Sequence, residues 1–164
     1  MLLYSRRNLI LAAVSGLALS ACGFEPVYKE GSATASLKGQ VEIVAGKSRE
    51  EFDLRERLLE RFGFSETAKY RLTYTYDVES SGLAVSNTAE ITRYNLSGVS
   101  KFKIYDVNGT LVYQSVVTAS TAYSATSETY PTRVAEQDAR SRLALALADQ
   151  IVSRIGVTAG SWVK

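Results

Sequence analysis

From Tyr70 to Glu79 the side chains alternate without a break: Tyr70, Leu72, Tyr74, Tyr76 and Val78 fall on one side, Arg71, Thr73, Thr75, Asp77 and Glu79 on the other. A period of two is the signature of a strand. One apolar and one polar side describe a strand whose sheet is covered on a single face. The rest of the chain must therefore supply a layer over that apolar side.

Two segments have the helical spacing to do so. Ser48-Arg49-Glu50-Glu51 has the spacing of a capping box, in which the Ser48 hydroxyl accepts an early backbone N–H and Glu51 reaches back. Phe52, Arg55, Leu58, Leu59 and Phe62 follow at helical spacing, and Gly63 stands where a left-handed terminating residue is wanted, so a helix is expected over about 48–62. After the polar break 124–129, Pro131 suits a first helical turn. Ala135, Ala139, Leu143, Leu147, Ile151 and Ile155 then recur every four residues, with Val152 beside them and Arg133, Glu136, Gln137 and Arg140 facing away. This second helix is expected to end before Gly156, with 157–164 a loose tail.

The remaining segments read as strands. Gln40 to Val44 is a short one, with Val41 and Ile43 on one face. Ser80-Ser81-Gly82 is expected to turn the chain after the alternating strand. A long stretch from about Ala84 to Asp106 changes phase near Thr92, which implies a bulge or bend, and Gly98 marks a second candidate irregularity. Asn108-Gly109 fits a two-residue type I′ hairpin turn, and the strand from Leu111 to about Tyr123 returns with Leu111, Tyr113, Val117 and Tyr123 in register. The order β-α-β-β-β-α implies an α+β fold: a two-layer sandwich of a mostly antiparallel sheet of about four strands with two helices packed on one face.

Ahead of this domain stand Arg6 and Arg7, an apolar run from Leu9 to Leu19, and Leu19-Ser20-Ala21-Cys22. That is the layout of a secretory signal, and its apolar helix would be only about 16 Å long against the ~30 Å of a hydrocarbon core. The ending resembles the lipobox of bacterial lipoproteins, in which the cysteine thiol takes a diacylglyceryl group and becomes the new N-terminus. Cys22 is the chain's one cysteine and has no disulfide partner within it. Several acyl chains, at about 0.8 kcal/mol per buried CH₂, anchor a protein far more firmly than one. Ser5-Arg6-Arg7-Asn8-Leu9 also looks like a twin-arginine export signal, although paired arginines are ordinary in such regions. The expected organisation is a cleaved signal over 1–21, a lipidated N-terminus and tether over 22–39, a single domain over 40–156 and the tail.

Composition excludes several functions. Of 19 basic residues two leave with the signal, so 17 face the chain's 17 acidic ones and the mature domain is neutral. It offers no electrostatic case for nucleic acid. There is no histidine, and no thiol once Cys22 is acylated, so a zinc site, a Ser-His-Asp triad and a Cys-His pair lack their residues. G-x-S-x-G does not occur in the mature domain, and Glu50-Glu51-Asp53 sits at a helix start where the dipole favours negative charge. No enzyme, metal or cofactor is expected, only the covalent lipid.

Cys22-Gly23-Phe24-Glu25-Pro26-Val27-Tyr28 resembles the lipidated start of the LptE family, of the form C-G-F-x-P-x-Y. The element order, the long hairpin and the helix around Asp138 to Ile155, with Leu-Ala-Asp-Gln-Ile at 147–151, extend the likeness over nearly the whole mature chain. The resemblance implies an outer-membrane lipoprotein on the periplasmic side that plugs the β-barrel LptD and helps carry lipopolysaccharide to the surface. Gly23 in place of an aspartate after the cysteine implies outer-membrane sorting. Barrel interiors are polar. Thr73, Thr75, Asn95, Ser97, Thr118 and Ser120 would give a plug a polar exterior, and equally they are what a solvated sheet face carries. Lipopolysaccharide bears phosphates, so Lys101 and Lys103, with Arg71 and Arg93, are candidate contacts, although basic residues on strands also serve to protect edges. Tyr70, Tyr74 and Tyr76 could form an aromatic ligand surface, but a stripe at period two is more often core. The competing reading is an auxiliary lipoprotein of a lipid-trafficking ABC transporter.

Overall fold

A computed structural model describes residues 33–85 and 91–163; the signal, Cys22 and the tether up to residue 32 lie outside them. The elements in order are α1 (Ala33–Ser36), β1 (Val41–Ile43), α2 (Arg49–Phe62), β2 (Tyr70–Tyr74), β3 (Asp77–Val85), β4 (Ile91–Asp106), β5 (Leu111–Ser124), α3 (Thr129–Thr158) and a 3₁₀ turn at Ala159–Ser161. The fold is α+β, with two long helices over one face of a mixed sheet. The sheet has five strands instead of about four. β4 is its spine, pairing antiparallel with β2 and β3 along one edge and with β5 along the other, while β1 joins β2 in parallel.

The extra strand arises where the alternating segment breaks. Thr75 N–H bonds Lys101 O (2.9 Å), but the Thr75 hydroxyl accepts the Lys101 N–H (3.2 Å), so a side-chain oxygen replaces a carbonyl in the ladder. The alternation itself continues across the break, with Tyr70 and Leu72 buried and Tyr74, Tyr76 and Val78 packed on the core. Ser80-Ser81-Gly82 does not turn the chain. These residues pair with Leu96, Asn95 and Tyr94, because β4 is long enough to keep templating β3 as far as Val85. The irregularity expected near Thr92 is present: register shifts on either side of Ala84 leave Thr92 unpaired with β3.

Gly98 marks no irregularity. It pairs with Val78 and Ala119 in regular register, and a Cβ there would lie 3.0 Å from Leu143 Cδ2 and from Leu147 Cδ1. The glycine lets α3 press against the sheet, and its inward neighbour Ser100 is fully buried beside it. The β4–β5 hairpin lies where Asn108-Gly109 places it, but the loop is one residue longer than expected. Gly109 N–H bonds Asp106 O (3.0 Å), Asp106 N–H bonds Thr110 O (3.0 Å) and only Gly109 is a positive-φ glycine here (78°), which describes a three-residue loop followed by a bulge. That bulge shifts Leu111 out of the expected register, and its side chain is exposed.

The capping box forms as expected. Ser48 Oγ accepts Glu51 N–H (3.1 Å) and the Glu51 carboxylate accepts Ser48 N–H (3.3 Å). The buried stripe of α2 is Leu54, Leu58 and Phe62. Phe52, two residues from Leu54 and so about 200° round the helix, points outward and is 56% exposed. Gly63 has the positive φ (78°) expected at the helix end, although its ψ is extended.

α3 does not stop before Gly156 but runs through it to Thr158. A helical glycine costs about 1 kcal/mol. Continuing the helix buries Ile155 and delivers Ala159 and Trp162 to the core, which is worth more. The segment after 156 is therefore docked: the Trp162 ring meets Tyr70 edge-on (5.4 Å) and stacks on Tyr113 (6.0 Å). The N-terminal end is likewise folded before residue 40, since Leu37 is fully buried and Thr34 Oγ1 donates to Gly156 O (3.1 Å). α3 is long and apolar enough to cross a membrane by length and composition. Its apolar stripe, Leu143, Leu147, Ile151 and Ile155, is fully buried against the sheet and α2.

Candidate functional site

With both long helices on one side, the other face of the sheet is open. Antiparallel register lines up its side chains in rows: Arg71 and Tyr105; Thr73, Lys103 and Gln114; Lys101 and Val116; Asp77, Val99 and Thr118; Glu79, Ser97 and Ser120; Ser81, Asn95 and Ala122; Arg93 and Ser124. Five of the six hydroxyl and amide residues singled out above, Thr73, Asn95, Ser97, Thr118 and Ser120, lie on this face, whereas Thr75 stands between β2 and β3 with its hydroxyl in the ladder. It is a hydrogen-bonding surface broken by few apolar groups, of which Val116 is the most exposed (49%).

The four basic candidates also lie on it, but not together. Lys101 and Lys103 are exposed, and their ammonium groups make no ion pair among the described residues. Arg71 is a diagonal neighbour of Lys103, about 7–8 Å away by strand geometry, and is held by Glu42 (Nε to Oε2, 2.9 Å) on the adjacent strand. Arg93 is ten residues further along β4 from Lys103, about 34 Å. The face thus has one basic end formed by three residues, acidic Asp77 and Glu79 at its β3 margin, and a separate arginine at the far end.

At the basic end a groove of about 690 Å³ opens between the β4–β5 turn and the start of β2, lined in part by Glu42, Lys69, Arg71, Tyr105, Asp106 and Asn108. Asp106 shapes it. Its Oδ1 accepts the N–H groups of Thr110 (2.8 Å) and Asn108 (2.9 Å), which holds the carboxyl below its usual range and fixes the hairpin mouth. Lys69 and Asp106 were not singled out in the sequence, because each sits in or next to a connector. The Asp-x-Asn-Gly turn was the one available signal for Asp106.

The tyrosine stripe belongs to the other side. Tyr74 OH donates to Glu51 O (3.0 Å) and Tyr76 OH to Arg140 O (3.2 Å), so the pair ties the sheet to both long helices. Burial, then nearby Glu51 or Glu50, pushes both phenols up to about 12. They are structural anchors, and the aromatic ligand surface is not formed. Among the described residues no cluster of carboxylates is placed to hold a metal ion.

The LptE model, described as lipopolysaccharide-assembly, matches residues 32–155. The chain belongs to the LptE family. No curated protein matches it. Three solved structures are similar in fold: a candidate lipoprotein of Caulobacter crescentus CB15 (TM-score 0.64, 20% identity, 79% of this chain and 96% of that one), the rare lipoprotein B of Shewanella oneidensis (0.57, 17%, 73% and 93%) and a minor lipoprotein of Acinetobacter baumannii (0.56, 19%, 74% and 92%). LptE membership makes this a lipoprotein-family chain of lipopolysaccharide assembly.

Proposed function

We propose that this LptE-family chain is held in the outer membrane by lipid on Cys22 and acts, without catalysis or cofactor, as the plug and assembly partner of the LptD β-barrel. The observation that carries the reading is the open sheet face. A plug must bury its apolar surface internally and offer hydrogen-bonding groups to a polar lumen, and here Thr73, Asn95, Ser97, Thr118 and Ser120 line the open face while both helices cover the apolar side. The basic end, Arg71, Lys101 and Lys103, supplies cations suited to lipopolysaccharide phosphates, and Arg93 is a separate contact point.

Extraction in mild detergent tests this reading: the full lipoprotein should bring down a large β-barrel. Recovery without one would overturn it. Depletion distinguishes the alternative, since lipopolysaccharide stalled beneath the surface supports the barrel role and mislocalised phospholipid supports a transporter accessory. A Cys22→Ala chain should lose membrane retention and keep its fold.

A further inference from the structure

The two ends of the domain are not alike. α2 and α3 run side by side in the same direction: Tyr74 OH and Tyr76 OH bond Glu51 O and Arg140 O at one level, and Arg57 bonds Asp149 at the next. Both helices therefore finish at one pole. The start of β2 and the β4–β5 turn lie there too, because Tyr70 pairs with Asp106 and its ring meets Trp162 just after α3. α1 crosses this pole. Thr34 Oγ1 donates to Gly156 O at the end of α3 (3.1 Å), and Gly39 N–H donates to Phe62 O at the end of α2 (2.6 Å).

Three of the four most exposed large apolar side chains among the described residues stand at this pole. Phe64 (76%) follows α2, Val157 (75%) is in the last turn of α3, and Val107 (72%) is in the β4–β5 turn beside Lys69 and Trp162. The fourth, Tyr130, lies at the opposite end of α3, where the Arg133 guanidinium sits over its ring (6.0 Å). Lys38, Lys69 and Arg154 are exposed at the pole and make no ion pair among the described residues. The acids there are mostly engaged, Glu60 by Arg57 and Asp106 by the N–H groups of its own turn, which leaves Glu66. Exposed apolar side chains flanked by free cations suit the boundary between lipid headgroups and acyl chains.

The same pole is the one nearest the anchor. Cys22 precedes Ala33 by eleven residues, which reach no more than about 40 Å at full extension. Thr34 is fixed at Gly156, and α3 rises about 39 Å from Tyr130 to Gly156. With the opposite end on the membrane only a fully taut chain would reach the leaflet, whereas with the pole on it no stretching is needed. We propose that this pole is a membrane-docking surface, resting on the anionic phospholipid headgroups of the leaflet that holds the Cys22 lipid, with Phe64, Val107 and Val157 inserted among them. The proposal rests on lipidation of Cys22 and not on the barrel reading.

The test uses the full lipoprotein in vesicles of phosphatidylcholine and phosphatidylglycerol, free of lipopolysaccharide. The Cys22 thiol is consumed by lipid, so a nitroxide can be placed at Phe64→Cys, Val157→Cys or Tyr130→Cys in separate chains. Labels at 64 and 157 should be shielded from a water-soluble nickel chelate and open to oxygen, which concentrates in the bilayer, and the label at 130 should show the reverse. Lys38→Ala with Lys69→Ala should lower the ratio of docked to free poles by roughly 25-fold, about fivefold for each cation lost near an anionic surface, with an unchanged circular dichroism spectrum. Failure to sediment with the vesicles would remove the lipid anchor and the proposal with it. Sedimentation with the vesicles while labels at 64 and 157 stay as open to nickel as the label at 130 would overturn the docked pole alone. Immersion unaffected by the two lysine changes and equal on pure phosphatidylcholine would likewise overturn it.

Discussion

Arg57 of α2 grips Asp149 of α3 with two parallel hydrogen bonds, Nε to Oδ1 at 3.0 Å and one terminal nitrogen to Oδ2 at 3.1 Å, while Arg61 approaches Oδ1 at 3.4 Å. This fork joins the two helices at their solvent margin, and Asp149 is the acid of the Leu-Ala-Asp-Gln-Ile run that resembles the family. The hydrogen bond from Arg57 holds the Asp149 carboxyl below its usual range. A lowered carboxylate contributes stability above its unfolded pKa near 4, and the contribution is lost as pH falls through the folded value. Both partners are partly solvated, so the pair is worth roughly 1 kcal/mol at neutral pH, the upper end for such bridges because its geometry is bidentate. Asp149→Asn should lose that amount in urea unfolding at pH 7 and converge with the parent chain in acid.

The alkaline side has its own expected limit. Tyr74 and Tyr76 are held neutral by burial, with pKa values pushed up to about 12. A raised phenol contributes stability that is complete below its unfolded value near 10 and is lost as pH rises through the folded one. The chain should therefore loosen at the sheet–helix contact between about pH 10 and 12. Tyr76→Phe removes the bond to Arg140 O and should cost about 1 kcal/mol at pH 7 while reducing this alkaline loss. Unfolding free energies at several pH values check both statements.

Beneath α3, Gly98 and Ser100 make opposite predictions. A Cβ at Gly98 meets two leucines at 3.0 Å, so Gly98→Val should cost about 1–3 kcal/mol by overpacking. Ser100 Oγ is buried with no hydrogen-bond partner among the described residues. An unsatisfied hydroxyl carries a penalty of about 1–3 kcal/mol, so Ser100→Ala should stabilise the domain, by about 1 kcal/mol after the lost packing. Thermal unfolding of the two variants separates them by sign.

Periodicity made most of this fold legible. The capping box at Ser48, the inward phase of Tyr70 to Val78 and the four-residue repeat from Ala139 to Ile155 are local patterns, and each forms. What periodicity could not show depends on partners distant in sequence. Ser80-Ser81-Gly82 has turn chemistry, but β4 provides a template that overrides it. Gly156 and Gly98 were read as an end and an irregularity; one is carried through by the burial of Trp162, and the other is a close approach between layers. At the candidate site the alternation placed Arg71, Lys101 and Lys103 on one face. The same expected strand sets Arg93 ten residues from Lys103 and so at the far end of the face, whereas the groove between the β4–β5 turn and β2 depends on pairing and not on pattern.

The chain's one tryptophan makes the docked C-terminus measurable. Trp162 is 9% exposed, wedged between Tyr70 and Tyr113. Trp162→Ala should cost about 3 kcal/mol, the low end for a buried aromatic because one edge reaches solvent. In the parent chain the indole emission should be blue-shifted and should move to the red in the same transition as the loss of circular dichroism. Red-shifted emission from the folded chain would mean that the segment is not docked.

The basic end of the open face should act as a unit. Lys101 and Lys103 are two residues apart on one strand, with Arg71 a diagonal neighbour of Lys103, so a phosphorylated lipid can engage several cations at once, whereas Arg93 can contribute only to a second contact. Replacing both lysines by alanine should weaken binding of the full lipoprotein to lipopolysaccharide by about tenfold, or 1.4 kcal/mol, within the range of a few charge-assisted hydrogen bonds. Arg93→Ala should have a smaller effect that adds independently, since sites this far apart do not couple. Both sets of side chains are exposed, so thermal unfolding should not change. Equal effects from Lys101→Ala and Arg93→Ala, with no further loss when both lysines are removed, would show that the cluster is not a binding unit.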